Sequence, residues 1–172
     1  MKRKNVMEIT TISLFVAVMA VSSQIAIPTA GSVPITIQSF VIALAGYFLG
    51  SKKGLTSVFI YILVGLVGAP VFANFQGGFY TIVGYTGGYI LGFLPFSFLC
   101  GIAPQRRVGV AFGLCGLLLC NLMGTIQYSI VSGLTVARAF TVGSLLFLPK
   151  DIVLTICAYY FAKVLKKKIK QR

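Results

Sequence analysis

Acidic side chains occur at only two positions of this chain, Glu8 and Asp151, and its fifteen Lys and Arg residues gather in short clusters between long uncharged stretches. A water-facing surface needs far more charge than that. Soluble domains carry about 25% charged residues, against 10% here, with 58% of the chain hydrophobic. Such a chain is an integral membrane protein, and a soluble fold is excluded. The same scarcity narrows the chemistry. Histidine is absent, which removes histidine triads, histidine proton relays and His-based zinc sites. Two carboxylates cannot build a multi-acid metal cage or a paired-acid hydrolase site within one chain. No nucleophile–base pair can be assembled either, so no enzyme, catalytic residue, metal ligand or cofactor is expected. Cys100, Cys115, Cys120 and Cys157 lie in apolar stretches without C-x-x-C spacing and read as small buried hydrophobes. The net charge of +13 would suggest nucleic acid in a soluble protein. Here its distribution points to lipid instead, and no nucleic-acid partner is expected.

Apolar segments of about 17–25 residues can cross a bilayer, and shorter ones can do so where it thins. Six are expected, over residues 9–27, 34–49, 54–67, 79–102, 108–131 and 149–168. Pro149 suits the first turn of the sixth, where its missing N–H costs nothing and Asp151 meets the positive end of the helix dipole. Residues 138–148 then form a short helix or re-entrant piece at the outer surface; the alternative is one span over 139–162 kinked at Pro149. Thirteen of the fifteen basic residues fall on one side of this scheme: Lys2 to Lys4, Lys52 and Lys53, Arg106 and Arg107, and six from Lys163 onward. Only Arg138 and Lys150 fall on the other. The positive-inside rule therefore puts both termini in the cytoplasm of the cell membrane. The first span begins on a basic cluster, and Pro28-Thr29-Ala30-Gly31 resembles a weak signal cleavage site. Its apolar stretch exceeds the roughly 7–15 residues of a signal core, so it reads as a retained span.

The expected outer loops, 29–33, 68–78 and 132–148, hold almost no charge but many Gly, Pro and amide residues. Phe72, Phe75 and Phe79 interleaved with Asn74 and Gln76 suit a lid over a pocket better than a solvent loop, because irregular backbone at membrane depth must be buried or line a cavity. Asp151 is a functional candidate simply as an ionisable group there, with neighbouring Lys150 as the alternative structural partner. Gly84, Gly88 and Gly92 recur every fourth residue, as do Gly46 with Gly50 and Gly109 with Gly113, a spacing for close helix packing. None of these runs leads into the Lys-Ser/Thr of a phosphate-binding loop. Ser13 and Ala17 make a small-xxx-small pair on the first span, where another helix can dock. Asn121 and Gln127 are the main mid-span polar residues, and helix-to-helix hydrogen bonding accounts for them.

Four motifs then occur in order: Val33-Pro34-Ile35-Thr36-Ile37-Gln38, Gly68-Ala69-Pro70-Val71-Phe72-Ala73, Gly84-Tyr85-Thr86-Gly87-Gly88-Tyr89-Ile90-Leu91-Gly92-Phe93 and Phe147-Leu148-Pro149-Lys150-Asp151. Together they resemble the BioY family, the biotin-binding S components of energy-coupling-factor vitamin transporters, over nearly the whole chain. The resemblance implies an all-α, six-helix membrane bundle formed by residues 1–172 as one domain, with a biotin pocket near the outer face covered by the loops. It also implies partners: a transmembrane coupling protein, docked on the small-residue face of the first span at Ser13 and Ala17, and two ATP-hydrolysing subunits.

On this resemblance the biotin-binding candidates are Asp151, Asn74, Lys150, Tyr85, Tyr89, Gln38 and Thr36. A carboxylate such as Asp151 accepts from the ureido N–H groups with charge-assisted strength. Asn74 can donate to the ureido carbonyl, Tyr85 and Tyr89 can wall the rings, and Gln38 and Thr36 stand at the mouth. The family's last motif usually reads Pro-Gly-Asp with a Lys three residues after the Asp, whereas here Lys150 replaces the Gly and position 154 is Leu. Lys150, one helical turn from position 154, is then the expected source of the cation. Other readings are an S component for a different small vitamin and a carrier working alone. A channel would want a polar path across the whole bilayer, and the charges here stop at the faces.

Overall fold

The computed structural model describes residues 2–29, 33–104 and 106–171. Helix α1 spans Lys2–Gln24. It buries Phe15, Met19, Ser22 and Ser23 on one side and leaves Ser13, Leu14, Ala17, Val18 and Val21 exposed on the other. The helix stops three residues short of the expected boundary at 27. Strand β1 (Ala26–Ile27) instead pairs antiparallel with β2 (Ile35–Thr36), Ala26 opposite Thr36 and Ile27 opposite Ile35. A proline disfavours helical backbone in the residue before it, so Pro28 holds Ile27 extended. The second helix is delayed as well: Ile35 and Thr36 are held extended by pairing with β1, and α2 runs Gln38–Leu49, four residues after the expected start at Pro34. Of the expected loop at 29–33, residues 30–32 lie outside the described residues.

Gly50, at φ +86°, caps α2 and opens α3 (Ser51–Leu66) in a single residue, a left-handed turn that costs glycine little. Helix α3 thus begins three residues before the expected 54. A short 3-10 turn at Ala73–Phe75 follows. The expected fourth span over 79–102 is broken. It forms α4 (Phe79–Val83) and α5 (Gly87–Cys100), separated at Gly84-Tyr85-Thr86. Three glycines in five residues weaken helix propensity there. The carbonyls of Ile82 and Gly84 are taken up by the Gln127 amide at 2.7 and 2.9 Å. Consequently Gly84 does not share a helix with Gly88 and Gly92. Those two do pack closely, facing the backbone of Gly124 and Cys120 on α6 (Val108–Ser132), where a Cβ would collide.

After Gly133 (φ +70°) the chain forms α7 (Val136–Phe140) and a π turn at Thr141–Leu145. It then enters α8 (Leu148–Lys170), with Pro149 in its first turn. The segment from 136 to 145 meets α8 at 49°. Two described helices are long and apolar enough to cross a membrane alone, Val6–Gln24 and Val108–Ser132, and the bent pair 136–145 with 148–169 qualifies together. At twelve and fourteen residues, α2 and α5 fall short of the ~20 needed for a full hydrocarbon core. Helix α2 is buried nearly all round, from Val41 to Tyr47, which makes it the centre of the core. Of the cysteines, Cys100 and Cys120 are buried as expected, but Cys115 and Cys157 are exposed, on apolar outer faces of α6 and α8. Glu8 pairs with Lys53 at 2.5 Å on the surface between α1 and α3.

Candidate functional site

The first turns of α2 and α8, the inner faces of α5 and α6 and the loop after α3 surround a cavity of about 860 Å³, including the space at its mouth. Its inner wall is apolar: Tyr61, Phe72, Phe93, Phe96, Leu117 and Cys120. Polar groups stand at chosen points on this background, the usual arrangement for fixing a ligand's orientation.

The most concentrated polarity sits at the start of α8. Pro149 allows the helix to begin at Leu148, and Asp151 then falls in its first turn. The Asp151 carboxylate is buried. Its Oδ1 accepts from Ser39 Oγ of α2 at 2.6 Å and from Lys150 Nζ at 2.6 Å. Lys150 also donates to the carbonyl of Thr36 on β2. No donor among the described residues reaches Oδ2. Two donors on one oxygen hold the carboxylate's rotation and leave the other oxygen to a ligand N–H, with the strength of a charge-assisted bond.

The loop after α3 forms the opposite wall. Phe72 is its anchor, buried against Gly65 and edge-on to Tyr61 at 5.6 Å. Its N–H donates to Gln76 O at 2.9 Å, closing a tight turn in which Asn74 (φ 58°) and Phe75 (φ 57°) both adopt left-handed backbone. Asn tolerates that region and Phe does not, so the pair stores strain that outside contacts must offset. Those contacts come from α1. Gln24 accepts from Phe75 N at 2.9 Å and donates to Phe72 O at 3.2 Å, and Ser23 donates to Val71 O at 2.5 Å. Tyr61 adds a bond to Val71 O at 2.8 Å while accepting from the Gln38 amide at 2.7 Å. Asn74 and Gln76 face the cavity as a result, while Phe75 and Phe79 stay exposed.

Six of the seven residues expected at a site line this one cavity: Thr36, Gln38, Asn74, Tyr89, Lys150 and Asp151. Tyr85 does not. It occupies the break between α4 and α5, so the four-residue spacing to Tyr89 no longer places them on one face. Its half-exposed ring packs on Tyr128 at 5.6 Å. Tyr89 is held by its hydroxyl, which donates to Gly143 O at 2.6 Å and lies 2.9 Å from Ser144 Oγ in the π turn. Ser13 and Ala17 lie on the outward side of α1, away from the lining. Gln76, expected in the lid but not among the binding candidates, also lines the cavity, and sequence reasoning missed Ser39, Thr86 and Asn121 as lining residues. The one available signal was Asn121, an amide in the middle of an apolar helix. Its Nδ2 bonds to Leu117 O at 2.9 Å, yet the side chain also fronts the cavity. Gln127, of the same apparent kind, is spent on the α4–α5 break.

With this geometry in view, comparisons with known proteins are specific. The BioY family model matches residues 1–171. A probable biotin transporter BioY from Pyrococcus horikoshii is 39% identical over 159 residues, covering 92% of this chain and 96% of that protein. A biotin transporter BioY from Thermotoga maritima is 35% identical over 158 residues, covering 90% and 92%. A crystal structure of the S component for biotin from an ECF-type ABC transporter superposes with a TM-score of 0.90 at 25% identity, covering 97% of this chain and 94% of that one.

Proposed function

This chain belongs to the BioY family, and from that premise we propose that it is the biotin-binding specificity subunit of an energy-coupling-factor importer. Its relatives are transporters and S components, not enzymes, and the chain is a membrane transport protein of that kind. The observation that carries the biotin reading is the Asp151 carboxylate, fixed through Oδ1 with Oδ2 left to a ligand in a largely apolar cavity.

Biotin's ureido ring offers two N–H donors and a carbonyl acceptor, and its fused rings and thioether are apolar. Asp151 takes the N–H side, Asn74 donates to the carbonyl, and Tyr89 with the phenylalanine wall contacts the rings. Gln38 and Thr36 complete the polar rim. Six spans with both termini in the cytoplasm accord with the placement of thirteen of the fifteen basic residues. The short α2 and α5 cross by thinning the bilayer around them or by packing within the bundle. The exposed Ser13 and Ala17 side of α1 is the docking face for a coupling protein, whose two ATPase partners supply the work of concentrating the vitamin across the cell membrane. Binding energy alone cannot supply that work.

The test is equilibrium binding of biotin, with lipoate and thiamine in parallel, to detergent-purified protein. One-to-one biotin binding is expected, weakened about 10- to 100-fold in Asp151→Asn, as loss of a charged hydrogen bond of roughly 1.5–3 kcal/mol implies. Preference of the folded protein for lipoate or thiamine would assign the site to another vitamin.

A further inference from the structure

We infer that the cavity recognises the ring end of its ligand and places no ionic demand on the tail, so that uncharged amides and esters of biotin are ligands alongside the free acid. This rests on the biotin reading and names the substrate class more widely. Lys150 and Asp151 are the only formally charged residues among the described lining, and they neutralise each other at 2.6 Å. The ammonium has three N–H donors; one goes to Asp151 and one to the Thr36 carbonyl. A ligand carboxylate on the third N–H would share the ammonium with Asp151 and set a second negative charge beside that carboxylate, a repulsion at a buried position. The sequence-based expectation has Lys150 meet the ligand carboxylate; in the structure its ammonium is bonded to Asp151 and to the Thr36 carbonyl.

The other polar groups of the lining, including Thr36, Gln38, Gln76, Thr86 and Asn121, are neutral. A carboxylate drawn among them would lose hydration without gaining an opposite charge. Arg138, the other basic residue at this end, is exposed on α7 and does not line the cavity. The ligand's one ionised group is thus left at the mouth, in water, where replacing it by an amide changes little. A biotin conjugate such as a biotinyl amide of lysine then presents the same ring to the same wall.

The experiment compares dissociation constants of biotin, biotinamide, biotin methyl ester and a biotin methylated on a ureido nitrogen, on the full-length protein in detergent. Biotinamide and the ester are expected within threefold of biotin, and the ring-methylated analogue at least thirtyfold weaker. Lys150→Met should weaken biotin and biotinamide by the same factor, and Arg138→Gln should alter neither. A tenfold or larger preference for the free acid overturns the inference, as does a smaller preference that disappears in Lys150→Met or Arg138→Gln. Failure of a folded sample to bind either biotin or biotinamide would instead remove the biotin reading itself.

Discussion

At Asp151 the structure separates two jobs between the two oxygens of one carboxylate. Ser39 and Lys150 converge on Oδ1, and Thr155 Oγ donates to the Asp151 carbonyl at 2.7 Å, so backbone and side chain are both held before any ligand arrives. Preorganisation of this kind raises affinity by removing an ordering cost from binding. Ser39, itself on the cavity lining, should therefore matter through the carboxylate it orients. Ser39→Ala is expected to weaken biotin binding about three- to tenfold, near the 1 kcal/mol of a single hydrogen bond, while Ser39→Thr largely restores it. Calorimetry on the three proteins checks this; unchanged affinity in Ser39→Ala would show that Lys150 alone orients the carboxylate. The sequence places Asp151 and Lys150 side by side, but Ser39 lies 112 positions away from Asp151. Nothing local marks that serine as its partner.

Between elements, the tie from the last turn of α1 to the loop over the cavity is the notable connection. Gln24 and Ser23 hold a turn containing two non-glycine residues in left-handed backbone. Removing the clasp lets the strain at Phe75 relax and Asn74 leave the cavity. Gln24→Leu is expected to raise the biotin dissociation rate about tenfold with little change in association, a difference of about 1.4 kcal/mol, measured by release of labelled biotin into excess cold ligand. A lower melting temperature with an unaltered release rate would assign Gln24 to stability alone. The α4–α5 break carries a second prediction. Gln127→Leu leaves the Ile82 and Gly84 carbonyls without their amide partner, at about 1–3 kcal/mol for each unsatisfied group. Thermal unfolding in detergent should fall by several degrees. No such loss would mean that other donors reach those carbonyls.

For the whole molecule, the charge asymmetry predicts an orientation, both termini in the cytoplasm, that can be read in intact cells. With the native cysteines replaced, Arg138→Cys should react with a membrane-impermeant maleimide added outside. Lys167→Cys should react only after the membrane is opened. The opposite pattern would invert the topology and place the cavity mouth on the cytoplasmic side. The native Cys115 and Cys157 are on apolar outer faces, so their exposure in the bundle is exposure to lipid, and their removal should leave packing at those faces little changed.

Composition alone assigns the chain to a membrane, because 58% hydrophobic residues with two acidic side chains admit no other solvent. The sequence also marked the first turn of α8, where Pro149 and Asp151 act through local rules, and the motif segments whose residues meet at the cavity. Tertiary structure decided which of those residues face the same space. Tyr85 and Tyr89 share a face only if the helix is unbroken, and Gln127 of α6 stabilises the break that separates them. Lys150 lies next to Asp151 in sequence and also near position 154 on a helix surface. The packing of β2 against α8, through the Thr36 carbonyl, turns its ammonium to Asp151. Periodicity describes one helix at a time, and a binding site is made where several end together.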